Sequence, residues 1–126
     1  MKQKNTKQLK KALWKVFSLY VRMRDKGECI SCGKRGDVKL MDAGHYIPKT
    51  GGLSIYFDEK NVHCQCTYCN RFMHGNLAPY AIALRQRYGE TILEELAWKK
   101  QQITKYTTQD YQYLIQVYKE KLKTLS

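Results

Sequence analysis

Leu9, Leu13, Phe17 and Tyr20 return at spacings of three and four residues, with Val16 alongside. That is the period of one helical face, and it predicts a helix over residues 6–26. Thr6 stands where an N-cap is expected, and Gly27 where the chain would leave the helix. The lysines mostly lie off the stripe, so one side can be buried while the other is basic. The pattern then changes. Short β-like pieces at 38–41, 43–47 and 53–57 alternate with turn signals at Gly33, Gly36-Asp37 and Gly51-Gly52. A short helix is expected from Thr67 to about His74, ended by Gly75. Beyond it the chain reads as helical. Pro79 suits a first turn, Tyr80 to Tyr88 closes at Gly89, and Thr91 caps a run with Ile92, Leu93, Leu96 and Ala97. Thr107-Thr108 opens a last helix with Tyr111, Leu114, Ile115, Tyr118 and Leu122 on one face. The expected architecture is one α+β domain over 1–126: a basic helix (1–27), a small β-rich metal-bound core (28–76) and a helical C-terminal part (77–126).

Composition adds direction. Charged residues are 27% and hydrophobic ones 43%, within the range of ordinary globular chains. No apolar run approaches 18 residues, so no membrane partner is expected. The basic N-terminus lacks a long apolar stretch and a small-residue cleavage site, and reads as mature protein in a reducing cytoplasm. There, five cysteines, an odd number, favour metal ligation over disulfides. The net charge of +12 points to a polyanion, with nucleic acid favoured over an acidic membrane surface. Residues 1–26 alone carry nine Lys/Arg against one acid, Asp25.

Cys29-Ile-Ser-Cys32 and Cys66-Thr-Tyr-Cys69 are both Cys-x-x-Cys pairs. Two such knuckles make a tetrahedral four-thiolate site, the usual structural zinc arrangement. Four thiolates leave no open position for water, so this site should support the fold and do no chemistry. Cys64 is then spare, a small strand residue, the alternative being that it replaces Cys66 in a Cys-x4-Cys spacing. The 33 residues between the pairs are long for a plain ribbon, so something is built inside them.

Inside lie Asp42-Ala-Gly-His45-Tyr46 and Asn61, and Asn70 follows the last cysteine directly. The series His45, Asn61, Cys66, Cys69, Asn70 resembles the HNH (ββα-metal) endonucleases. The strings DAGHY, KNVHCQC, YCN and HGNLAPY are more closely similar to the NinG (Rap) family of phage recombination endonucleases. The likeness runs from about Cys29 to Tyr88 and more weakly through the last helix. It implies a small HNH module whose His45 activates water, whose Asn61 holds the loop and orients that histidine, and whose Asn70 ligates a catalytic Mg²⁺ or Mn²⁺. The chemistry agrees, because phosphodiester hydrolysis needs a base and a cation, and a neutral imidazole is available near pH 7. In many HNH enzymes an acid directly precedes the histidine; here that place is Gly44. Asp42 shares the strand face of position 44 and is the expected second metal ligand. His74, one turn after Asn70, is either a further ligand or a helix-end histidine. For His63 a packing or phosphate-contact role is expected rather than catalysis. Asn61 and Asn70 also suit turn and cap roles.

Lys7, Lys11, Lys15, Arg22, Lys49, Arg71 and Arg85 are expected to grip phosphates, with steep salt dependence. Tyr46 and Tyr56 are candidates to stack on an unpaired base. The expected activity is metal-dependent cleavage of DNA, with selectivity for branched intermediates resting on the family resemblance alone. The alternatives are a zinc-containing DNA-binding module with a decayed site, and a zinc-held protein-interaction domain, which must explain the +12 charge. A homodimer would allow symmetric cutting of two strands, though no heptad pattern calls for one.

Overall fold

The computed structural model describes residues 5–125, so Lys2 and Lys4 of the basic N-terminus lie outside it. Helix α1 (Thr6–Arg24) forms where the apolar stripe predicts. Its cap is Asn5 rather than Thr6. Asn5 Oδ1 accepts from the Gln8 N–H at 2.8 Å, and the Gln8 side chain accepts from the Asn5 N–H at 3.0 Å. That reciprocal pair satisfies two free donors at once. The helix ends two residues early because Lys26 (φ 54°) and Gly27 (φ 70°) both turn left-handed.

Strands β1 (Asp42–His45) and β2 (Val62–Gln65) form an antiparallel pair with Asp42 opposite Gln65 and Gly44 opposite His63. The other two β-like pieces do not pair. Residues 38–40 make a 3₁₀ turn capped by Asp37, whose carboxylate accepts from the Lys39 N–H at 2.9 Å. Residues 53–56 form a single helical turn, α2 (Leu53–Tyr56). The alternation Leu53, Ile55, Phe57 is too short to tell strand from helix, and Asn61 settles the matter. Its side chain accepts from the Ile47 N–H at 2.8 Å and donates to the Ile47 and Ile55 carbonyls, both at 3.0 Å. The loop thus closes on itself.

After β2 the chain makes a π-helical turn, Tyr68–Phe72, where a regular short helix was expected. It exits through three left-handed residues, His74, Gly75 and Asn76. Helices α3 (Leu77–Tyr88), α4 (Ile92–Lys100) and α5 (Thr108–Leu125) follow. Thr91 occupies the cap position of α4 but makes no side-chain capping bond, whereas Thr107 and Asp110 cap α5 reciprocally. Among the described residues no helix is long and apolar enough to cross a membrane.

The largest core lies where α1 and α5 meet the strand pair. Leu13, Phe17, Val21 and Val62 are fully buried there with Tyr111 and Tyr118, and Phe17 meets the Tyr118 ring edge-on at 4.9 Å. Helices α3 and α4 bury Tyr80, Leu84, Ile92 and Leu96 together. At the end of α1, Asp25 binds Arg24 and Arg87, both at 2.9 Å, and accepts from the Cys64 N–H at 2.9 Å. Burial alone would raise its carboxyl pKa, but the Arg24 hydrogen bonds and charge hold it below the usual value. One carboxylate therefore ties α1, β2 and α3 together.

Candidate metal centre and cleft

The four cysteines of the two Cys-x-x-Cys pairs converge, with Sγ atoms all within 4.8 Å of one another. Cys32 and Cys66 Sγ are 3.7 Å apart, close to the ~3.8 Å edge of a tetrahedron with zinc–sulfur bonds of about 2.3 Å. The Cys69 N–H donates to Cys66 Sγ and the Asn76 side chain to Cys69 Sγ, both at 3.4 Å, as suits thiolate acceptors. The donor set therefore fits a metal ion such as zinc. Cys64 stands outside this group. It is fully buried, and burial pushes its thiol up to about 12, so it behaves as a neutral packing residue.

His45 ends β1, opposite Val62 of β2. Its ring stacks on Trp14 of α1, with centroids 5.1 Å apart and planes at 16°. Nε2 lies 2.9 Å from the Tyr56 carbonyl. A carbonyl can only accept, so Nε2 carries the proton and Nδ1 holds the lone pair. Burial, helped by the Lys49 charge, lowers the imidazole pKa against the Tyr56 hydrogen bond, which keeps the ring neutral near pH 7. Asn61 is fully buried and holds the 47–55 loop through the three bonds given above. It does not touch the histidine. Trp14 and the Tyr56 carbonyl orient the ring, and neither is visible in a motif.

His45, Asn70, His74 and Lys49 line one open cleft of about 270 Å³ beside Pro48 and Leu77. Asp42 does not line it but is bonded to Asn70, which does. Asn70 Nδ2 donates to Asp42 Oδ2 at 3.0 Å, and Arg71 forks onto both carboxylate oxygens at 3.0 and 3.1 Å. His74 is exposed, with the left-handed φ of a turn. Gly44 is pressed between β2 and the π-helical turn, and a side chain there would overlap Gln65 Oε1. His63 is internal. Tyr80 OH donates its one proton to the Gly44 carbonyl at 2.7 Å, so His63 Nδ1–H donates to Tyr80 and Nε2 accepts from Tyr88 OH at 2.7 Å. Burial, then the charge of Arg24, takes its pKa down to about 3.

The basic residues divide. Lys7, Lys11 and Lys15 are exposed along α1, as are Lys49 and Arg85. Arg71 is exposed too but engaged by Asp42. Arg22 is half-buried and bonds the Val38 and Ser18 carbonyls, which fastens α1 to the 3₁₀ turn. Tyr46 packs on Tyr80 and Tyr56 against Trp14, so both rings are already occupied. The exposed stacked pair is Tyr68 with Phe72, 6.2 Å apart and tilted by 24°. Their spacing of four was the available signal, and it points outward because Cys69 takes the inward position.

The model of the family described as Bacteriophage Lambda NinG protein matches residues 1–126. Curated relatives include "Protein ninG" of Salmonella phage P22, 34% identical over 111 residues, which is 87% of this chain and 54% of that protein. The "Protein ninG" of Escherichia phage 933W is 33% identical over the same length, with the same coverage. That of Escherichia phage lambda is 32% identical over 111 residues, 87% of this chain and 53% of that protein. The chain thus spans about half the length of these relatives. No solved structure matches it.

Proposed function

The chain belongs to the NinG family, and from that membership and the cleft beside its cysteine cluster we propose a metal-dependent DNA endonuclease with an HNH-like site and a structural zinc. The observation that carries this reading is the state of His45. Its Nε2–H is held by the Tyr56 carbonyl, its ring is clamped on Trp14, its Nδ1 has no hydrogen-bond partner among the described residues, and the residue lines a cleft shared with Asn70. That is what a general base needs: a fixed tautomer, neutral at working pH, with one free nitrogen.

In this reading His45 Nδ1 takes a proton from the attacking water. Asn70 Oδ1 would hold a divalent cation, Mg²⁺ or Mn²⁺, which Asp42 would join once its bond from Asn70 Nδ2 opens, and whose charge would supply stabilisation to the phosphate and the leaving oxygen. His74 lies on the same cleft and can join them. Asp42 is free to do so only when Arg71 swings off, which costs little for a guanidinium 67% exposed. Arg71 then meets a phosphate instead. Asn61 acts through the loop, keeping the Tyr56 carbonyl within reach of the ring. The exposed lysines of α1, with Lys49 and Arg85, supply backbone contacts that do not depend on sequence. Branched recombination intermediates inside the host cell are the proposed substrate class.

The second reading, a DNA-binding module without catalysis, draws on Asp42 being held by Arg71 and Asn70 and on the missing side chain at Gly44. Cleavage of labelled four-way junction, D-loop and linear duplex separates the two. With Mg²⁺ or Mn²⁺ the wild type should cut, and a folded, zinc-loaded His45→Ala should bind DNA but cut at least a hundredfold more slowly, the usual scale of a lost general base being about 10²–10⁴. Binding without cutting by both proteins would establish the second reading instead.

A further inference from the structure

Gln65 is fully buried, and its amide orientation is fixed by its neighbours. Nε2 donates to the Gly75 carbonyl at 2.7 Å and to Ser31 Oγ at 2.9 Å. Since the Gly75 carbonyl can only accept, the nitrogen must be on that side. Oε1 therefore points the other way, where it has no hydrogen-bond partner. Asn70 is constrained in the same manner. Its Nδ2 donates to the Asp42 carboxylate, another acceptor, so Oδ1 is turned away from Asp42.

Both oxygens are turned to one place. A Cβ at Gly44 would overlap Gln65 Oε1 and lie 2.9 Å from Asn70 Oδ1. Glycine leaves room there that Gln65 Oε1 takes up, with Asn70 Oδ1 close by from a different element. Two acceptors cannot satisfy each other, and a buried acceptor left alone carries the full cost of its desolvation. A cation removes that cost. Amide oxygens are hard ligands, suited to Mg²⁺ or Mn²⁺ rather than to the thiolate-seeking zinc.

We infer that Gln65 Oε1 is an oxygen ligand of the divalent cation, delivered from β2 through the gap at Gly44 to join Asn70 Oδ1. This rests on the proposed function, in which the cation sits at Asn70. It gives Gly44 a role, because any side chain there would expel the glutamine oxygen.

The test is Mn²⁺ binding by the full zinc-loaded chain, read from loss of the free-Mn²⁺ electron paramagnetic resonance signal, alongside cleavage of junction DNA. Mn²⁺ is a weaker competitor for thiolates and leaves the zinc in place. Gln65→Leu should weaken Mn²⁺ binding at least tenfold while zinc content stays at wild type. Gln65→Glu, which puts a charge at the same oxygen, should bind Mn²⁺ more tightly. If folded Gln65→Leu and Gln65→Glu both bind as wild type does while Asn70→Ala loses the ion, the inference is overturned and the endonuclease reading stands. Should Gln65→Leu fail to fold, unchanged Mn²⁺ affinity in Gln65→Glu overturns it equally. If the wild type neither binds Mn²⁺ nor cuts, the functional reading fails and the inference goes with it.

Discussion

At the α1–α5 end, Leu13, Phe17, Val21 and Val62 are fully out of water, packed with Tyr111 and Tyr118. At the other end the buried cluster is Cys29, Met41, Cys64, Cys66 and Cys69. The first group gains from burial alone, since each large apolar side chain contributes about 1.5–3 kcal/mol. The second contains three of the four thiols that a metal such as zinc could hold as thiolates, Cys29, Cys66 and Cys69, and without an ion they are a poor core. Both ends are laid on the same two strands. The difference teaches where each half finds its stability: the cysteine cluster could hold a metal, and with one bound that end would depend on it.

Removing the metal is the strongest way to test that contrast. Zinc binding in small cysteine sites is worth on the order of 10 kcal/mol, far more than the buried apolar area here could replace. Chelation, or Cys69→Ser, should abolish hydrogen-exchange protection in residues 28–76 and leave it largely intact in α1 and α5. The mirror experiment is Phe17→Ala, which should cost about 3–5 kcal/mol in denaturant unfolding with one zinc per chain retained. Uniform loss of protection after chelation would show that the two ends do not differ as argued.

The next test lies between the ends, on β2. His63 is neutral when folded, with a pKa near 3 against an ordinary 6.5. Above pH 6.5 it is neutral in both folded and unfolded chains, so its contribution is fully present there. As pH falls below that value the unfolded chain takes up a proton that the folded one refuses. Stability should then drop by up to about 1.4 kcal/mol per pH unit. His63→Gln keeps hydrogen-bonding capacity for Tyr80 and Tyr88 but does not titrate. It should flatten the slope between pH 6.5 and 5 in urea titrations. An unchanged slope would assign the acid sensitivity to the cysteine end instead.

How much of this was legible beforehand follows from the range of the forces involved. The stripe Leu9, Leu13, Phe17 fixed α1 because helical period is local. The two cysteine pairs were legible because metal geometry demands their spacing. The pieces at 38–41 and 53–57 were misread as strands because four or five residues cannot distinguish a strand from a turn of helix; the Asp37 cap shaped the first, and Asn61 settled the second. The cleft was half legible. His45, Asn61 and Asn70 stand in a recognisable series, whereas Trp14, the Tyr56 carbonyl and Gln65 enter only through packing. Arg22 looked like a phosphate contact because charge is visible in sequence and a partner carbonyl is not.

The contrast also predicts something about surfaces. A core that an ion could hold would not need its neighbouring aromatics, and at the cysteine end they face outward: Tyr68 is 63% and Phe72 72% exposed, stacked on each other beside Arg71. At the α1–α5 end, Phe17, Phe57, Tyr111 and Tyr118 are all inside. Replacing Tyr68 or Phe72 by alanine should therefore change unfolding free energy by no more than about 0.5 kcal/mol, the smallest effect on the fold considered. If the outward pair serves DNA, each replacement should weaken binding to a junction with unpaired bases by about 1–3 kcal/mol, the scale of one base stacked on an aromatic ring. Affinity for linear duplex, where no base is free to stack, should hold. Fluorescence anisotropy on the two substrates at matched salt reads this directly. Equal losses on both would mean the pair contributes general contact area, and a loss of stability comparable to Phe17→Ala would mean that the cysteine end relies on apolar packing after all.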